Sequence, residues 1–171
     1  RGYILPELYK SLIRQSGSHF EWIIVDDGSS DDTASIVNGW IKENLINIKY
    51  IRQENQGKHI AINTGLENAD GELFFIVDSD DKLKPDAVEK VRKFWNTLGS
   101  DNYSGILSYR EFPDGKLVGT RLPKDILHCK LRDSNSRYGS VGDKVVIYRT
   151  DIFSRYRYPK FDGEKFFGES Y

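Results

Sequence analysis

Apolar residues in the first half of the chain alternate between a helical rhythm and continuous runs. At Leu5, Leu8, Tyr9, Leu12 and Ile13 they fall on one helix face, with Pro6 acceptable in a first turn, which predicts a helix over 6–15. Trp22-Ile23-Ile24-Val25 then runs without interruption, predicting a strand over 20–25 that is buried on both faces. Ser30-Asp31-Asp32-Thr33 supplies an N-cap and early acids for a helix reaching residue 42, and a second strand follows at 48–52. Gly57 opens another helix, with Ile60, Ala61, Thr64 and Ala69 near its inner face. Asp70-Gly71 closes it before a third strand over 72–77, and a further helix covers 85–95.

Alternation of strand and helix predicts an α/β fold, a mostly parallel central sheet with helices on both faces. The second half reads differently. Segments 105–112 and 116–120 flank Pro113-Asp114-Gly115, the composition of a hairpin turn, and 144–149 makes another strand before a short helix from Asp151. A small antiparallel appendage at the sheet edge is expected.

Both apolar runs stop on carboxylates. The first meets Asp26-Asp27-Gly28-Ser29, and Leu73-Phe74-Phe75-Ile76-Val77 meets Asp78-Ser79-Asp80-Asp81. In open α/β sheets ligands bind at the carboxyl ends of strands, so the acids are expected at one edge. Gathered carboxylates repel unless a cation or hydrogen-bond donors compensate them, which points to a hard metal and a polar ligand. Each motif also has a plainer reading, a strand-to-helix turn for the first and an Asx turn or calcium loop for the second. The calcium-loop template fails from Asp78, with Lys82 at the fifth position and Leu83 where glycine is required, although Glu89 stands at the twelfth.

Composition narrows the class. With 171 residues, 38% hydrophobic and 13% aromatic, the chain can form one sizeable core, and one domain is expected. Its formal charge of -1 argues against a surface built for nucleic-acid phosphates, and the aromatic run 148–167 with Arg155 and Arg157 reads as packing. The single Cys129, expected to be packed, makes no internal disulfide, so a reduced, cytoplasmic setting is expected. No apolar stretch approaches the roughly 20 residues that span a bilayer. His19, His59 and His128 share no motif.

The acids sit within an ordered set: Val25-Asp26-Asp27-Gly28-Ser29, Asp31-Asp32-Thr33, Asn55-Gln56-Gly57, Asn63-Thr64-Gly65-Leu66, Gly71-Glu72, Asp78-Ser79-Asp80-Asp81 and Pro85-Asp86. In order and spacing this set resembles the nucleotide-sugar-dependent, inverting glycosyltransferases of family 2, nearly end to end. The resemblance implies the GT-A, nucleotide-diphospho-sugar transferase fold, with 1–98 as the nucleotide-binding half and 99–171 as the acceptor-side half. It implies a UDP-linked donor, a glycan or lipid-linked acceptor, and a divalent cation, Mn²⁺ or Mg²⁺. Association with the cytoplasmic face of a membrane would run through parts outside this chain.

Roles follow residue by residue. Asp27, with Asp26, would accept from the nucleobase imide N–H, and Asp80 would hold the metal. Asp78 would lie toward the ribose or the metal's waters, Lys58 would face the phosphates, and Asp143, in Gly142-Asp143-Lys144, would touch a sugar. Gly168-Glu169-Ser170 stands where the family carries its general base, which makes Glu169 the candidate. Ser170 departs from the usual second acid, and Glu164 and Asp162 remain alternatives. The family's first strand, whose end helps clamp the nucleoside, is expected to be missing, so that this chain is a fragment. The sheet would carry a gap with apolar flanks, and the chain alone would bind donor weakly. Two rival readings are a sugar-nucleotide nucleotidyltransferase and a degenerate domain that binds glycans or partners.

Overall fold

The computed structural model describes residues 2–99, 102–123 and 128–165. Its elements run α1 (Leu5–Ile13), β1 (Glu21–Asp27), α2 (Thr33–Glu43), β2 (Asn47–Gln53), α3 (Lys58–Glu67), β3 (Leu73–Phe75), α4 (Ala87–Leu98), β4 (Gly105–Tyr109), α5 (Leu131–Ser136), β5 (Lys144–Arg149) and α6 (Thr150–Phe153). This is the α/β architecture expected from the alternating pattern. Helix α5 was not foreseen, since its sequence LRDSNS carries no apolar periodicity.

β1 and β2 pair in parallel, from Glu21 opposite Asn47 to Asp27 opposite Gln53, with α2 as the crossover. Their apolar face packs on α1 and α2. Leu5, Tyr9, Ile24, Val37 and Trp40 form a buried cluster there, and the Tyr9 and Trp40 rings stack at 4.3 Å. The Tyr9 hydroxyl donates to Glu43 at 2.7 Å, so the ring is buried without orphaning its polar end.

The second sheet has the order β3-β5-β4 and is antiparallel throughout. Alternation of side chains gives each face its own cluster. Phe74 and Tyr148 lie with Ile62, Leu66 and Phe153, on the side of α3 and α6. Leu73, Phe75, Ile106 and Ile147 lie with Trp95 and Val91 of α4. The run 73–77 was expected to be a buried parallel strand. It pairs antiparallel with β5 instead and ends at Phe75, where the ladder opposite Ile147 stops. The predicted strand at 116–120 is reduced to one bridge, Glu111 to Leu117, because Thr120 turns away to bond Val141. Cys129 is exposed, not packed.

Among the described residues no ladder joins the two sheets. Between β1 and β3 lies a cleft of about 1260 Å³ that touches every residue of both strands. Contact with both alternating sets means that the cleft borders strand edges, not faces. Leu8 and Leu12 of α1, Ile62 and Gly65 of α3 and Trp95 of α4 close its sides. This is the gap with apolar flanks that the sequence led us to expect. It also explains why Trp22, Ile23, Phe74 and Phe75 stay only partly buried despite their apolar neighbours. Among the described residues no helix is long and apolar enough to cross a membrane.

Candidate functional site

The turn after β1 is braced by its own acids. Gly28 has φ 82°, a left-handed conformation that favours glycine, and the chain reverses there. The backbone N–H of Ser29 then donates to Asp26 Oδ1 at 2.7 Å. The Tyr50 hydroxyl donates to Asp26 Oδ2 at 2.5 Å, and Arg52 Nε lies 4.0 Å from the same oxygen. Asp26 is buried, and burial by itself would raise its carboxyl; the bonds from Ser29 and Tyr50, with the Arg52 charge, outweigh that and hold it below the ordinary carboxylate range. Its partner responds in the opposite sense: burial and the bond to Asp26 push the Tyr50 phenol up to about 12, so it remains a donor.

Asp27 reaches across to α3. Its Oδ1 accepts from Gln53 Nε2 at 2.8 Å and from the Gln56 N–H at 2.9 Å, and its Oδ2 accepts from the Gly57 N–H at 2.8 Å. These backbone donors belong to the start of α3, where N–H groups lack intrahelical partners and the helix dipole favours an anion. Gln53 also accepts from Thr64 Oγ1 at 2.7 Å, tying β2 to α3. A carboxylate offers about four acceptor positions, so Asp27 keeps capacity beyond these three bonds.

From Gly57 the site continues to the second acid group. Lys58 Nζ lies 2.9 Å from Asp78 Oδ1, so Asp27, Gly57, Lys58 and Asp78 form a continuous chain of contacts around one mouth of the cleft. Lys58 thus pairs with a carboxylate, an arrangement that the sequence had not shown. On the other side, Arg110 follows β4 and its Nη2 bonds Asp81 and lies 3.4 Å from Asp78 Oδ2. Its Nη1 is 3.9 Å from Asp143 Oδ2. Burial would raise Asp78, but Lys58 first and Arg110 second keep it below the usual range. Burial pushes Asp81 up, the charges of Asp78 and Asp80 add to that, and Arg110 does not offset it.

No three His, Cys, Asp or Glu side chains converge on a metal position among the described residues. Asp80 is exposed, and its side chain takes no hydrogen bond or ion pair there. A hard ion held by one or two carboxylates plus diphosphate oxygens and water needs no more from the protein. The residues therefore fit an ion that binds together with a diphosphate.

The late segment returns to this mouth. Gly57 has φ 94°, and a Cβ built there would stand 2.0 Å from the carbonyl oxygen of Lys165, so only glycine fits under that strand of chain. Lys165 lines the cleft, and Asp162 and Glu164 are exposed just before it. Glu169 lies outside the described residues. Sequence reading missed Tyr50, Gln53 and Arg110. The parallel register, which sets Arg52 opposite Asp26 and Gln53 opposite Asp27, signals Gln53 once β1 and β2 are paired. Arg110 has only its place at the end of a strand to mark it.

The sequence pattern of the family described as Glycosyl transferase family 2 matches residues 2–161. TuaG of Bacillus subtilis, named for glycosyl transfer in teichuronic acid biosynthesis, is 41% identical over 95 residues, covering 55% of this chain and 37% of its own. The uncharacterized glycosyltransferase alr2836 of Nostoc sp. is 28% identical over 140 residues, covering 77% and 42%. The chain thus spans less than half the length of these relatives. Residues 1–349 of S. aureus TarS in complex with UDP superpose with a TM-score of 0.68 at 24% identity, covering 91% of this chain and 46% of that one. The same protein in complex with UDP-GlcNAc gives 0.67 at 25%. With the acid-tipped edge, the split α/β sheet and a family match over nearly its whole length, the chain belongs to glycosyl transferase family 2.

Proposed function

We propose that this chain forms the donor-binding part of an inverting glycosyltransferase. It takes a nucleotide sugar, UDP-linked in our reading, and passes the sugar to a hydroxyl of a glycan or lipid-linked acceptor. One observation carries the proposal: Asp27 and Asp78, 51 positions apart in sequence, are joined through Gly57 and Lys58 at one mouth of the cleft. Family membership and the UDP-bound TarS neighbour support it.

The residues divide the work. Asp26 braces the turn so that Asp27 is held in place, and the remaining acceptor capacity of Asp27 suits the imide N–H of a uracil ring. Lys58 opens α3, so an ammonium and a helix N-terminus together face incoming phosphates. Asp80 is the proposed ligand for Mn²⁺ or Mg²⁺, with Asp78 toward the ribose or the ion's waters. When bound, such an ion neutralises the diphosphate and stabilises it as a leaving group. Asp143 is our candidate for a sugar hydroxyl, and its exposure beside Arg110 supports that reading.

In the transfer itself the acceptor oxygen attacks the anomeric carbon in line, a carboxylate takes the hydroxyl proton, and the diphosphate leaves with the bonding pair. Glu169 is our first candidate for that carboxylate, with Glu164 and Asp162 as alternatives on the segment that Lys165 brings to the cleft. Cytoplasmic location remains part of this reading, since the donor is a nucleotide sugar and the single Cys129 is a free thiol.

Calorimetry on the intact protein tests the proposal. UDP should bind in the presence of Mn²⁺, weaken at least tenfold without it, and lose the difference in Asp80→Ala. Metal-independent binding, or full transfer activity in Asp80→Ala, would sink the assignment.

A further inference from the structure

We infer that Arg110 is the resident counter-cation of the acid loop, and that it sets the order in which the site fills: a divalent ion enters only together with a diphosphate. This rests on the proposed donor site, and it concerns a residue that none of the sequence motifs contains.

The geometry is specific. Asp78 and Asp81 are closed into a tight turn by the Asp81 N–H donating to the Asp78 carbonyl at 3.0 Å, and Asp80 lies inside that turn. One guanidinium, through Nη2, contacts the carboxylates of both flanking residues. Its side chain is 29% exposed, more enclosed than Lys58 at 51%, so solvent screens it less. Arg110 is held by the strand it follows, since Tyr109 is paired with Lys144 in the ladder.

A positive group already seated between Asp78 and Asp81 lowers the negative potential that would draw a free divalent ion to Asp80. Guanidinium does not lose its proton in proteins, so it cannot be discharged and has to move. Asp143 gives it a place to go: this carboxylate is 80% exposed and already 3.9 Å from Nη1. A nucleoside diphosphate brings its own negative charge, which repays both cations at once and leaves Arg110 facing donor oxygens. A bare ion brings only repulsion. Arg110 is thus a positioning residue whose effect is on binding order.

The test follows free Mn²⁺ by electron paramagnetic resonance in the intact protein. Without nucleotide, Arg110→Gln should bind Mn²⁺ about tenfold more tightly than wild type, and the tightening of Mn²⁺ binding by UDP should shrink in proportion. Arg110→Lys, with the charge but without the fork, should fall between. Unchanged or weaker Mn²⁺ binding in Arg110→Gln would show a mere staple for the loop and overturn the inference. A second measurement needs no variant. The Arg110 Nε–H resonance of wild type should stay in place with Mg²⁺ alone and shift with Mg²⁺ and UDP together. A shift with Mg²⁺ alone, or with neither, overturns the inference as well. Absence of any UDP binding by wild type would instead defeat the donor-site reading, while the Mn²⁺ comparison would still judge Arg110.

Discussion

The two acid groups at the sheet edge are compensated in opposite ways. Asp26 and Asp27 are met by fixed neutral donors for the most part: backbone N–H groups of Ser29, Gln56 and Gly57, the Tyr50 hydroxyl and the Gln53 amide. Asp78 and Asp81 are met by the ends of long charged side chains, Lys58 and Arg110. Donors built into the backbone cannot leave without unfolding the turn, whereas a lysine or arginine head can move by rotating bonds. The first group is therefore part of the framework and the second is an exchangeable site. Acids that look alike in sequence should answer differently to measurement: changes at the first group should show in stability as well as in donor binding, and changes at the second in ligand binding almost alone.

Matched isosteric changes should separate them most sharply. Asp27→Asn removes charge-assisted bonds to two backbone donors at the start of α3 and turns an amide toward them, which should cost about 3 kcal/mol in urea unfolding. Asp78→Asn loses half-exposed ion pairs and should change stability by no more than about 1 kcal/mol, while abolishing Mn²⁺-dependent UDP binding. Equal stability losses in the two variants would erase the distinction.

Tyr50→Phe should have the next largest effect, about 1.5 kcal/mol, because it leaves the buried Asp26 carboxylate short of a donor. Its pH dependence gives a further check. Asp26 titrates below its ordinary value when folded, so its contribution is present above about pH 4 and fades as pH falls through the lowered value. Stability measured from neutral pH downward should drop in that acid range for wild type and drop less for Tyr50→Phe. The smallest effect should come from salt. Raising ionic strength from 0.1 to 1 M shortens the screening length from about 10 to about 3 Å, so the Asp78 carboxyl should move toward its ordinary titration range while Asp26 stays in place. Carbon-detected NMR titration of both side chains would show it.

The helix at α1 was legible because five apolar positions keep a helical spacing, and β1 because Trp22 to Val25 is an unbroken apolar run. The limits of β3 were not, because a strand needs a partner and β5 arrives from 72 positions later to pair only as far as Phe75. Asp80 could be singled out from its motif, yet its lack of any side-chain bond among the described residues could not. Arg110 was invisible for a related reason: nothing in Tyr109-Arg110-Glu111 announces that this guanidinium will face Asp78 and Asp81.

By itself the sequence determined the α/β class, the family resemblance and the two carboxylate groups, since periodicity and ordered motifs are local properties of the chain. Only the tertiary structure decided that β5 lies beside β3 and which donors face which acid. Those facts depend on long-range pairing and on where side-chain ends meet, and no spacing along the chain encodes them.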